Sequence, residues 1–116
     1  MHAEDCIFCK IAAGEMNSDI IFQDDLVTAF RDINPVAPVH ILIIPNTHIV
    51  NTNELSAKDD ALAARMLTVV PEIARDEGVT ESGYRLIMNT GPHGRQEVMH
   101  MHLHLIGGER MKHPMG

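Results

Sequence analysis

Residues 99–106 read MHMHLHLI, a stretch in which three histidines alternate with apolar side chains. In an extended strand, successive side chains point to opposite faces of the sheet. His100, His102 and His104 are therefore predicted to share one face and to border a cleft. The opposite face is predicted to pack into a core through Met99, Met101, Leu103 and Leu105. The stretch predicts a half-buried strand with one chemically active face.

The three histidines suit either metal binding or catalysis. At about 3.3 Å per residue, His100 and His104 are roughly 13 Å apart along a straight strand, whereas zinc–nitrogen bonds measure about 2.0–2.1 Å. At most two of the histidines can therefore reach one ion unless the strand bends sharply. Neutral imidazole is a nucleophile and a proton carrier near neutral pH. The spacing favours a catalytic site in which one histidine attacks and its neighbours position it.

The segments around this stretch predict an α+β fold with an antiparallel sheet. Strands are predicted at residues 19–23, 26–31, 40–45, 83–89 and 97–106, and the first two are joined as a hairpin at Asp24–Asp25. The run HILIIP at 40–45 is typical of a central strand covered on both faces. Residues 6–13 predict a short helix that ends at Gly14.

A longer helix is predicted over residues 56–77. Ser56 is a suitable N-cap, Asp59 follows three residues later, and apolar side chains then recur at helical spacing. Pro71 lies inside this segment, where its ring removes one backbone hydrogen bond and clashes with the carbonyl of Leu67. The helix is therefore predicted to kink or break near residues 70–71.

The composition indicates a single domain over residues 1–116. Hydrophobic residues make up 45% of the chain, and the net charge is −7, which argues against a non-specific nucleic-acid binder. No apolar run approaches the ~20 residues of a membrane span, and the amino terminus lacks the pattern of a signal peptide. We therefore expect a cytoplasmic protein in which Cys6 and Cys9 are thiols or metal-bound thiolates.

Several motifs in order resemble those of the histidine triad family. HMHLHLIGG has its H-x-H-x-H pattern, and DIIFQDDLVTAFRDINPVAPVHILIIP with GYRLIMN is similar to its Hint branch of nucleotide-binding proteins. The resemblance extends from Cys6 to Pro114. It implies a five-stranded antiparallel sheet with two helices, and a homodimer with a continuous sheet built on the 56–77 helix and the 83–89 strand. It also implies cleavage of the phosphorus–nitrogen bond of purine nucleoside phosphoramidates, with AMP or GMP bound and no organic cofactor.

The resemblance assigns roles to individual residues. His102 would attack the α-phosphorus, His104 and His40 would support the site, and His100 would buttress the motif or bind metal. The nucleotide would contact His102, His104, Phe8, Asp32, Ile33, Asn89, Gln96 and Glu97. Independently, the glycine-containing loop at 89–98 is able to turn backbone N–H groups towards a phosphate, which explains how an acidic protein holds one.

Three positions depart from the family pattern. Many relatives have serine at Glu97, glycine is expected at Arg95, and animal relatives have tryptophan at His113, next to the partner subunit's site. The guanidinium of Arg95 is able to contact a phosphate, whereas an ionised Glu97 would repel it. The identity of the leaving group therefore stays open.

The resemblance further implies a structural zinc ion held by Cys6, Cys9, His48 and His100. Four such ligands complete a closed tetrahedral site, and the alternative is a pair of inert thiols. Two other functions also stay open at this point. One is a regulatory nucleotide-binding protein with negligible turnover, and the other is a dinucleoside polyphosphate hydrolase of the Fhit type.

Overall fold

A five-stranded antiparallel sheet forms the centre of the computed structural model, which describes residues 5–116. Its strands are β1 (Ile20–Gln23), β2 (Val27–Arg31), β3 (Val39–Pro45), β4 (Tyr84–Ile87) and β5 (Leu103–Gly107). They lie in the order β1-β2-β3-β5-β4, and each neighbouring pair is antiparallel. The predicted α+β class and the five-stranded sheet are confirmed.

Short helices accompany the sheet. They are α1 (Ile7–Ala12), α2 (Asp60–Thr68) and α3 (Val70–Asp76), with single 3₁₀ turns at Thr52–Glu54 and Ala57–Asp59. Gly14 follows α1 with a positive φ of 76°, a conformation that ends helices and favours glycine. Within residues 5–116 there is no helix whose length and hydrophobicity would let it cross a membrane.

The central strand β3 is covered on both faces, as its apolar sequence predicts. Ile41 and Ile43 enter one core cluster together with side chains from α2 and α3. Leu42 and Ile44 point to the opposite face, where they pack against Phe8 of α1. The helices therefore lie on both sides of the sheet, and the α1 side carries the polar residues described below.

The predicted helix over 56–77 is interrupted where proline requires it. The segment α2 ends at Thr68 and α3 begins at Val70, so the break falls at Val69. Pro71 then occupies the first turn of α3, where a missing N–H leaves no intrahelical bond unmade. The predicted break near residues 70–71 is confirmed.

The last strand is shorter than predicted. The sequence indicates a strand over 97–106, but β5 begins only at Leu103. The alternation of faces fails at Met99, which is 50% exposed, whereas Met101 is buried in the core as predicted. The prediction of a strand from residue 97 and of Met99 in the core is wrong.

Hydrogen bonds near the end of β3 explain the late start of β5. Pro45, the last residue of β3, has no N–H to offer a neighbouring strand. Its carbonyl accepts instead from the ring Nε2–H of His100 at 2.8 Å. The N–H of Met101 is diverted to the carbonyl of Ile49 at 2.7 Å. The ladder between β3 and β5 therefore stops short of residues 100–101.

Candidate active site

An open cavity of about 510 Å³ lies beside α1 and the β4–β5 loop. Six residues predicted at the nucleotide site line it: Phe8, Asp32, Asn89, Glu97, His102 and His104. Leu42 from β3 and Val98 add apolar surface, whereas the loop 93–95 contributes polar atoms. The cavity therefore combines an apolar wall with a cluster of histidines and carboxylates.

His102 is buried at this cavity and its ring is held in one tautomer. Only 6% of the residue is exposed, and the Phe8 ring packs edge-on against its imidazole at a centroid distance of 5.2 Å. Its Nδ1 lies 2.7 Å from the carbonyl oxygen of His100. A carbonyl only accepts, so Nδ1 carries the hydrogen and Nε2 has a free lone pair. This is the form of imidazole that acts as a nucleophile.

His40 and His104 form a directional pair next to His102. The N–H of Val36 donates to Nδ1 of His40 at 3.2 Å, so the hydrogen of the neutral His40 ring is on Nε2. That Nε2 lies 2.9 Å from Nδ1 of His104 and 3.5 Å from a carboxylate oxygen of Asp32. His104 Nδ1 therefore accepts, and its Nε2–H is available to a ligand in the cavity.

The same hydrogen bonds argue against a metal ion between Asp32, His40 and His104, although their ligand atoms lie within 4.8 Å of one another. A neutral histidine that binds metal through Nε2 must carry its hydrogen on Nδ1. In His40 that position faces another donor, the N–H of Val36. The trio therefore suits proton transfer better than metal binding.

Burial keeps these rings uncharged in the free protein. It lowers the pKa of His104 to about 4, with smaller contributions from the adjacent rings of His102 and His40. Burial likewise lowers the pKa of His40, although the nearby carboxylate of Asp32 opposes the shift. An anionic ligand in the cavity would favour the protonated form and raise both pKa values.

The loop at residues 89–98 is fixed from beneath by Gln96. The buried Gln96 side chain accepts from the N–H of Gly91 at 3.0 Å and donates to the carbonyl of Val50 at 2.6 Å. At Gly94 a Cβ would lie 2.5 Å from the carbonyl oxygen of Thr90, so glycine is required there. The loop is therefore a rigid wall of the cavity.

The structure does not bring every predicted residue into the cavity. Ile33 is 91% exposed and lies outside the lining, where Leu42 and Val98 supply the apolar surface instead. Gln96 anchors the loop and His100 points towards the cysteines, so neither lines the cavity. Sequence reasoning missed Leu42, whose place on the same face as His40 follows from the two-residue repeat of β3.

The four residues predicted as zinc ligands lie together, their ligand atoms within 4.8 Å of one another. Nδ1 of His100 is 3.1 Å from Sγ of Cys6, and Nδ1 of His48 is 3.3 Å from Sγ of Cys9. The Nε2–H of His100 donates to the carbonyl oxygen of Pro45. Nδ1 therefore carries a lone pair, which points towards the thiols. Two sulfur and two nitrogen donors in this arrangement suit tetrahedral zinc.

The fold and the paired histidines define a family. The HIT domain family matches residues 13–111, and the chain belongs to this histidine triad family. The purine nucleoside phosphoramidase of Escherichia coli is 59% identical over 106 residues, which are 91% of this chain and 89% of that protein.

Two solved structures are similar over nearly their full length. A HIT family hydrolase from Legionella pneumophila is 47% identical with a TM-score of 0.92, covering 97% of this chain and 100% of its own. A histidine triad protein from Clostridium difficile is 41% identical with a TM-score of 0.94, covering 97% of this chain and 98% of its own. The predicted family is confirmed.

Proposed function

We propose that the protein hydrolyses the phosphorus–nitrogen bond of purine nucleoside phosphoramidates through a nucleotide held covalently on His102. The observation that carries the proposal is the bond from His102 Nδ1 to the carbonyl of His100, which leaves Nε2 free at the cavity. The similarity to the Escherichia coli purine nucleoside phosphoramidase supports the same chemistry.

In the first step, Nε2 of His102 forms a bond to the α-phosphorus while the phosphorus–nitrogen bond breaks. The departing nitrogen needs one proton to leave as an amine. With substrate bound, the phosphate anion favours a protonated His104, whose Nε2–H supplies that proton. In the free protein the Nε2–H of His40 donates to Nδ1 of His104 at 2.9 Å, and this bond has to break or reverse when Nδ1 of His104 takes up its own proton.

In the second step, water replaces the histidine on phosphorus. Neutral His104 takes one proton from the water as its oxygen bonds to phosphorus, and the bond to His102 Nε2 breaks. The products are a nucleoside monophosphate and the restored histidines, with the proton of the first step returned to His104. Splitting the displacement in two is the usual advantage of a covalent intermediate.

The nucleoside would be held by the apolar wall and by Asp32. Phe8 and Leu42 would offer a surface for a purine base, and the Asp32 carboxylate, which lines the same cavity, would accept hydrogen bonds from ribose hydroxyls. Asn89 and the N–H groups of the rigid loop would face the phosphate. AMP and GMP are accordingly the expected products.

We also propose zinc at the site of Cys6, Cys9, His48 and His100. When bound, the ion would supply a structural crosslink, holding α1 against the end of β3. Its thiolate ligands suit the reducing cytoplasm, where we place the protein. Metal binding would lower the pKa of Cys6, which burial raises in the metal-free chain.

A homodimer is the expected assembly. The edge strand β4 exposes its backbone, and Leu86 on it is 38% exposed. Beside it, a groove of about 170 Å³ between α2 and β5 is almost wholly apolar, and Leu67 on its rim is 58% exposed. Such a surface is typical of one that pairs with a second copy.

Trapping the covalent intermediate tests the proposed function. The protein would be mixed with an AMP phosphoramidate, quenched in base, digested and analysed by mass spectrometry. We expect an adenylyl group on the peptide that contains His102, together with steady release of AMP. Binding of AMP without turnover or adduct would contradict the enzyme and favour a regulatory nucleotide-binding protein.

A further inference from the structure

We propose that Arg95 selects substrates whose leaving amine carries a carboxylate. The inference rests on the proposed phosphoramidase function and adds to it a class of leaving group.

The backbone at Arg95 is held in a conformation that disfavours any side chain. Its φ is 62°, and it is the one non-glycine residue within 5–116 with a positive φ. The turn is closed by the bond from its N–H to the carbonyl of Pro92 at 3.0 Å. The left-handed conformation is unfavourable for a residue with a Cβ, because the Cβ comes too close to the following carbonyl oxygen. Glycine would avoid this strain, so the presence of arginine at this position suggests that its side chain has a function.

The charges around the cavity make Arg95 distinctive. Among the described lining residues it is the sole lysine or arginine, whereas Asp32 and Glu97 contribute carboxylates. Within residues 5–116 its guanidinium has no acidic partner at ion-pair distance. A free guanidinium at the rim of a negatively charged cavity is well suited to bind an anionic group of a ligand.

The position of the nucleophile indicates which part of the substrate meets this receptor. His102 is buried, whereas residues 93–95 are exposed. In an in-line displacement, the leaving group departs on the side opposite the attacking atom. An amine that departs away from the buried His102 leaves towards the exposed side of the cavity, and Arg95 is one of the exposed residues that line it. A carboxylate on that amine can accept two parallel N–H bonds from the guanidinium.

Two matched substrates separate this role from a contact with the α-phosphate. They are the AMP phosphoramidates of glycine and of glycinamide, which differ by one negative charge on the leaving group. The quantity measured is the ratio of kcat/KM for glycine to kcat/KM for glycinamide, compared between wild type and variants. Differences in intrinsic reactivity of the two amines cancel in this comparison.

The test variant is Arg95→Gly, because glycine accepts the positive φ without strain. Arg75→Ala is the control, since it removes one positive charge from an exposed position on α3, outside the cavity. Arg95→Lys keeps the charge and loses the planar fork. Melting temperatures show whether the variants are folded, and Arg95→Gly is expected to melt no lower than wild type.

We expect the ratio to fall about tenfold in Arg95→Gly, by an intermediate factor in Arg95→Lys, and to stay at the wild-type value in Arg75→Ala. A fall of less than threefold in Arg95→Gly overturns the inference, as does an equal loss with both substrates, which would place the guanidinium on the α-phosphate. If wild type cleaves neither substrate, the proposed function itself fails, and that result is distinct from an unchanged ratio.

Discussion

The three histidines of the motif have different roles because each ring uses its nitrogens differently. His100 donates from Nε2 to Pro45 and turns Nδ1 to the thiols. His102 donates from Nδ1 to a carbonyl and keeps Nε2 free. His104 accepts on Nδ1 from His40 and has Nε2–H to offer. Regular spacing therefore places the rings, and local hydrogen bonds assign their chemistry.

Substitution of His102 tests the assignment of the nucleophile. His102→Asn or His102→Gly should lower kcat for an AMP phosphoramidate by at least ~10³, because no other group offers the attacking lone pair. Affinity for AMP, measured by calorimetry, should change far less. His104→Ala should cost about 10-fold to 10²-fold, because water replaces part of its support. Activity of His102→Gly within tenfold of wild type would rule out this mechanism.

The spacing of the histidines and the family resemblance together predicted the cavity cluster better than its boundary. The resemblance pointed to Phe8, Asp32 and Asn89, and all three line the cavity. The same resemblance placed Ile33 beside them, but adjacent residues in an exposed turn face different directions, and Ile33 points to solvent. Tautomers and the left-handed turn at Arg95 depend on backbone partners that no local pattern specifies.

The short β5 shows where the alternation of polar and apolar residues no longer predicts a strand. Alternation predicts a strand wherever polar and apolar residues alternate, yet a ladder also needs a partner strand with free donors and acceptors. Pro45 has no N–H to donate to such a ladder. Before Leu103, the ring of His100 bonds to the carbonyl of Pro45 and the N–H of Met101 bonds to the carbonyl of Ile49. The central strand, the hairpin and the helix break were predictable because each depends on local chemistry alone.

Metal removal tests the link between α1 and the sheet. Protein purified without chelator should contain about one zinc per chain by elemental analysis. Stripping the metal should lower the melting temperature and speed hydrogen exchange in Ile7–Ala12, because α1 is only six residues long and too short to persist alone. Cys9→Ser should behave like the stripped protein. Less than a tenth of a zinc per chain would refute the metal site.

The two faces of the sheet pack against different helices and carry different features. The α1 side holds the cavity and the Cys/His cluster, whereas the other side packs against α2 and α3. Beyond that packing, β4 and the apolar groove near Leu67 stay open. One side therefore holds the candidate active site, and the other carries the exposed apolar groove that the proposed dimer would cover.

The oligomeric state tests the assembly surface. Light scattering at micromolar concentration should give twice the chain mass of 12.9 kDa. Leu67→Glu should shift the mass towards one chain, because a charge cannot be buried in an apolar interface without large cost. Lys58→Glu, on an exposed 3₁₀ turn, is the control and should stay dimeric. A wild-type mass near 12.9 kDa would contradict the dimer.

The buried histidines predict that acid destabilises the fold. The pKa of His104 is about 4 in the folded chain, whereas an unfolded histidine takes up its proton near 6.5. Between these pH values the unfolded state binds more protons, so stability present above pH 6.5 is lost as the pH falls towards 4.

Urea unfolding of the zinc-loaded protein between pH 7.5 and 4.5 measures this dependence. The slope of the unfolding free energy against pH should be smaller in His104→Asn than in wild type. The difference should be at most the contribution of one bound proton, since one titrating group has been removed. The same slope in wild type and variant would show that His104 does not contribute.

The atoms of His100 belong to both candidate sites. Its ring is shared between the cysteines and Pro45, and its carbonyl sets the tautomer of His102. The proposed metal site and the proposed nucleophile are consequently not independent, because both depend on His100. Transplanting His102 without the proposed metal site would therefore require a new acceptor for its Nδ1–H. Redesigning the metal site by replacing His100 would require that its backbone carbonyl keep the same position.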